Sequence, residues 1–103
     1  QFDVAAQLLL SKAPTLSEDP EYHEFLAMAQ LASENYEGAT LSYSGLVQLD
    51  RSQGKWWYGF ASAQDLLGNQ EVALEAYIQA MQIPNLSASL RQRSQQRLNV
   101  LRN

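Results

Sequence analysis

His23 is the only histidine of the chain; Asp19 stands four residues before it and Glu24 directly after it. One imidazole with one or two carboxylates falls short of a Ser-His-Asp constellation or a His-pair metal site. Asp19 has another use, since it precedes Pro20 and reads as the cap of a helix. The sequence has no cysteine, which removes thiolate chemistry, disulfides and sulfur-ligated metals. Gly54-Lys55 and Leu67-Gly68-Asn69 lack the spacing of a phosphate loop and read as turns. The carboxylates are scattered, with no apolar pocket to raise a pKa. Neither catalysis nor a metal or cofactor is expected.

The residue types that remain are suited to recognition. Residues 54–60, Gly-Lys-Trp-Trp-Tyr-Gly-Phe, hold four aromatic rings within five positions. Charge is unevenly distributed: residues 1–50 carry eight acids and one base, whereas 88–103 carry four arginines and no acid. An acidic first half argues against a nucleic-acid groove along the length of the chain, because phosphate binding needs a continuous basic footprint; the arginine-bearing tail is a local exception. Arg91, Arg93, Arg97 and Arg102 allow two readings. They form a docking face for an acidic partner, anionic lipid or the acidic half of a second copy, or Arg97 and Arg102 complement the negative end of a helix dipole. The longest apolar run is too short for a membrane helix, and no basic-then-apolar leader opens the sequence, so a soluble chain without membrane insertion is expected.

These side chains must be positioned by helices. Apolar residues recur at spacings of three and four, with no sustained alternation and no hairpin turn. The spacing predicts helices over about 2–12, 20–33, 36–49, 55–67, 70–83 and 88–102. Asp19, Asn35, Asn69 and Ser87 are the expected N-caps, with Glu21, Glu37 and Glu71 in first turns. The joints are short, which favours antiparallel helical hairpins.

The sequence repeats at 34 residues. Leu26 aligns with Phe60, Ala27 with Ala61, Ala29 with Ala63, Asn35 with Asn69, Ala39 with Ala73, and Tyr43 with Tyr77. The same shift backwards places Phe2 on Tyr36 and Ala5 on Ala39. Small residues at matched positions let two helix backbones approach, and a large ring one turn on fills the space where they diverge. On one helix Trp57, Phe60, Ala61 and Gln64 share a face that meets the next helix, Trp56 points back to the preceding repeat, and Tyr58 points elsewhere. Trp56, Trp57 and Phe60 are therefore expected in the core.

Trp57-x2-Phe60-Ala61, Leu67-Gly68-Asn69, Ala73, Tyr77 and Ala80 together resemble the tetratricopeptide repeat. Residues 54–87 follow its pattern well and 20–53 less closely, with His23 at the Trp position and Glu34 at the mid-repeat Gly position. Gln30 and Gln64 stand where the repeat has Tyr, and Pro84 comes one residue early. The resemblance implies an all-α solenoid of about six helices: residues 1–19 as the second helix of an earlier repeat and a loop, repeats at 20–53 and 54–87, and a capping helix at 88–103. On this reading the chain is cut from a longer protein. Residues 56–81 and the Arg-rich 90–98 are also similar to the C-terminal repeats of MshN-type biogenesis factors of the mannose-sensitive haemagglutinin pilus, a type IV pilus. That likeness implies a periplasmic domain of an inner-membrane-anchored protein that helps assemble the pilus machinery.

In tetratricopeptide repeats the position of Tyr58 faces the concave groove, which implies a partner-binding surface of Glu21, Glu24, Met28 and Leu31, then Lys55, Tyr58, Ser62 and Asp65, with Gln92 and Gln96 from the closing helix. Such a surface suits a peptide or helix with apolar anchors and some basic character. It lacks the cations that grip an acidic C-terminal tail, since only Lys55 matches that pattern. The alternative reading is a structural one, self-association or docking through end or convex surfaces and the basic last helix.

Overall fold

The computed structural model describes residues 18–103. The expected helix over 2–12 and the half-repeat it belongs to lie outside the described residues. Five helices run through the rest: α1 (Pro20–Ala32), α2 (Tyr36–Leu49), α3 (Gly54–Leu66), α4 (Gln70–Met81) and α5 (Ala88–Leu101). No strand occurs among the described residues. No helix among them is long and apolar enough to cross a membrane.

Local chemistry sets most of the boundaries. The Tyr22 amide donates to Asp19 Oδ1 at 3.1 Å, the Gly38 amide to Asn35 Oδ1 at 3.1 Å, and the Leu90 amide to Ser87 Oγ at 3.2 Å. Each bond satisfies one of the amides that a helix start leaves unpaired. Asn69 corrects the expectation. It sits before α4 but makes no side-chain cap, because its Nδ2 donates 2.7 Å into Gln64 Oε1. The turn after α1 passes through Glu34 at φ 67° and the turn after α3 through Gly68 at φ 87°. A glycine adopts that left-handed conformation freely and a glutamate does not.

α3 receives its cap from a distance. The Gln53 side chain gives the helix no cap bond. Instead, Asn85, in the loop before α5, accepts from the Gly54 amide at 2.9 Å and donates to the Ser52 carbonyl at 3.0 Å and to Gln53 Oε1 at 3.3 Å. The joint between α2 and α3 is thereby tied to the joint between α4 and α5. Arg91 closes the end of α4 in a similar way, its guanidinium donating to the carbonyls of Met81 at 2.6 Å and Ile83 at 3.1 Å.

Each helix packs on the next. α1 also touches α3, and α3 touches α5, whereas α2 and α4 make no contact with each other. The odd-numbered helices thus form a closed row and the even-numbered ones stand apart. The core has two parts, one of Ala27, Ala39, Tyr43, Leu46, Val47, Trp56 and Ala63, the other of Ala61, Ala73, Ala76, Tyr77 and Leu98. Ala27, Ala39, Ala61 and Ala73 are fully enclosed, as close backbone approach requires. The Tyr43 ring lies flush against Gly59, where any Cβ would overlap it. Gln30 and Gln64 are buried and bonded rather than idle: the Ser42 hydroxyl donates to Gln30 Oε1 at 2.6 Å, and Gln64 Nε2 donates to Thr40 Oγ1 at 3.4 Å.

Candidate functional site

α3 is the central helix and shows a different surface to each side. Trp57, Phe60 and Gln64 fall on one side of its wheel, and Tyr58, Ser62 and Asp65 centre about 130° round from them. The second set meets α5 across a recess of about 510 Å³ lined by Tyr58, Ser62, Asp65, Leu66, Tyr77 and Arg97. Three of the expected groove residues, Tyr58, Ser62 and Asp65, are therefore brought together.

The recess is bound tightly to itself. Arg97 grips Asp65 with two bonds, Nε to Oδ2 at 2.7 Å and Nη2 to Oδ1 at 2.9 Å, the fork geometry that favours arginine over lysine. The Tyr77 hydroxyl donates to Asp65 Oδ2 at 3.1 Å. Its ring stands edge-on to Tyr58, with centroids 5.8 Å apart. Burial pushes the Tyr77 phenol up to about 12; a bond with Ser62 works against this and the negative charge of Asp65 adds to it. The bond to Asp65 likewise raises Arg97 above its ordinary value. Arg97 is thus occupied in joining α5 to α3.

Glu24 and Lys55, both expected in the groove, pair with each other at 3.1 Å. Glu24 also accepts 2.7 Å from the Trp56 indole, so the ring reaches back to the preceding hairpin as its register requires. Burial, and next to it the charge of Glu24, raise the Tyr43 phenol to about 12. Leu31 packs against the first core, while Glu21 and Met28 are exposed on α1. Gln92 and Gln96 are exposed on α5 and do not line the recess. The stripe Leu90, Ser94, Leu98 and Leu101 marks the packed side of α5, with Ser94 and Leu98 buried. It brings Arg97 inward and turns both glutamines away. That apolar spacing is the signal in the sequence that points to Arg97.

Trp57 and Phe60 are also corrected. Both are half-buried, packed against the two core parts without being enclosed. They form the floor of a cleft where α2 and α4 fail to meet, with hollows of about 330 Å³ and 210 Å³ that share both rings. The Trp57 indole donates to the Arg51 carbonyl at 3.0 Å, which pins the ring to the joint between α2 and α3. His23 lies half-buried with its ring edge-on to Tyr22. Comparison with known proteins adds no constraint: no family model and no curated protein matches the chain.

Proposed function

We propose that the chain is a tetratricopeptide-like α-solenoid acting as a non-catalytic protein-binding module, which receives a peptide or helix along the row of odd-numbered helices. The observation that carries this reading is the recess between α3 and α5. There an aromatic ring, a hydroxyl and a neutralised carboxylate surround an opening large enough for a side chain. Met28 and Leu66, both more than half exposed, add apolar contacts to α1 and α3. The internal pairing of Glu24 with Lys55 and of Asp65 with Arg97 lowers the desolvation cost of covering these charges.

The 34-residue register supports the repeat architecture, and the likeness to MshN-type repeats supports a place in the assembly of a type IV pilus on the periplasmic side of the inner membrane. The partner is then a component of that machinery. Docking through the basic last helix is less well supported, because Arg91 and Arg97 are engaged within the chain.

A display library of random peptides selected on the immobilised chain tests the reading. Binders should be enriched, and a Tyr58→Ala, Met28→Ala double variant with an unchanged helical spectrum should lose them by about tenfold or more. Equal retention by the double variant overturns it.

A further inference from the structure

The charged groups on the two sides of α3 are in opposite conditions. On the recess side Glu24, Lys55, Asp65 and Arg97 are spent on one another. On the other side Arg51, in the turn after α2, lines the hollow beside α2, and Glu75 stands on the α4 wall, both exposed. Neither the Arg51 guanidinium nor the Glu75 carboxylate has an ion pair among the described residues. Between them lie Trp57 and Phe60 on α3, with Val47 on α2 and Val72 on α4, the latter 45% exposed. An apolar floor with an uncommitted cation on one rim and an uncommitted anion on the other specifies its occupant. That occupant is amphipathic, with large apolar side chains toward the rings, an acidic group along one flank and a basic group along the other.

We infer that the α2–α4 cleft is a second docking surface, which takes an amphipathic helix from another protein, with apolar anchors on Trp57 and Phe60, a carboxylate toward Arg51 and a cation toward Glu75. The surface is independent of the recess, and a chain holding both joins two partners through two different sides of α3.

The probe is a set of three 14-residue helical peptides, each with leucines four apart on one face. The flanks carry Glu on one side and Lys on the other, Glu on both, or Lys on both. This set does not depend on which way the helix lies. Binding is followed by the indole N–H resonance of Trp57. The unmodified chain should prefer the mixed peptide over either uniform one by about fivefold, the scale of one rim ion pair. Arg51→Glu makes both walls acidic and should shift the preference to the double-Lys peptide; Glu75→Lys should shift it to the double-Glu peptide. Tyr58→Ala should change none of this, which separates the cleft from the recess.

Absence of a Trp57 shift up to about 1 mM peptide, or preferences that ignore both wall substitutions, overturns the inference. So does a concentration-dependent dimer in sedimentation that Val72→Asp abolishes, since the occupant would then be a second copy of the chain.

Discussion

Glu34 and Gly68 occupy matched places in two turns, and both have positive φ. A side chain there crowds the following carbonyl, at roughly 1–2 kcal/mol. Nothing lies within 4 Å of a Cβ built on Gly68, so only the backbone opposes a substitution there. Glu34→Gly should therefore raise stability by about 1 kcal/mol, or roughly 4–8 °C in Tm, and Gly68→Ala should lower it by a similar amount, both readable by thermal denaturation. The mid-repeat position is visible in the sequence; that a glutamate can hold a glycine's conformation is not, because residue type shows the preference and only the turn shows the demand. Tyr43 and Tyr77 carry a second expectation. Their phenols move from 10.0 to about 12 in the fold, so the folded chain keeps protons that the unfolded chain loses. Stability should be intact below pH 10 and decline as pH rises from there toward 12. Urea midpoints across that range should show the fall, and Tyr77→Phe should make it shallower; a flat profile would contradict the burial of both rings.

The helices themselves are legible, since spacing and capping residues place α1 to α5 within two residues of their ends. Contacts between distant turns are not. Asn69 has the residue type of a cap and bonds Gln64 instead, while the cap of α3 comes from Asn85, 31 residues beyond Gly54. No local pattern announces such a bond. Asn85→Ala should cost about 1 kcal/mol, as loss of an N-cap does, and should speed amide exchange at residues 52–54 as well as near 85. Exchange altered only near 85 would show that the two joints are not tied. Gly59 likewise gives no sign in the sequence of a packing role, although the Tyr43 ring needs its bare backbone. Gly59→Ala forces that ring out of place, and overpacking of this kind costs roughly 1–3 kcal/mol; a loss no larger than an ordinary helical Gly→Ala change would contradict the contact.

Across the five helices, the alternation of touching odd and separated even elements creates the two faces on which the functional reading rests. Part of that is readable in advance: register alone groups Tyr58, Ser62 and Asp65, and the structure brings them together. Arg97 reads in the sequence as an end charge. Its grip on Asp65 depends on how α5 rotates, which Ser94 and Leu98 fix by packing. The rings of Trp57 and Phe60 look like core in the sequence because hydrophobicity does not distinguish an enclosed ring from the floor of a cleft. The most direct measurement is an NMR titration of the labelled chain with a peptide enriched on it from a random library. Amide shifts at Tyr58, Ser62, Asp65 and Arg97 should saturate together, with the helical content unchanged. Binding that leaves those four residues unmoved would contradict the functional reading.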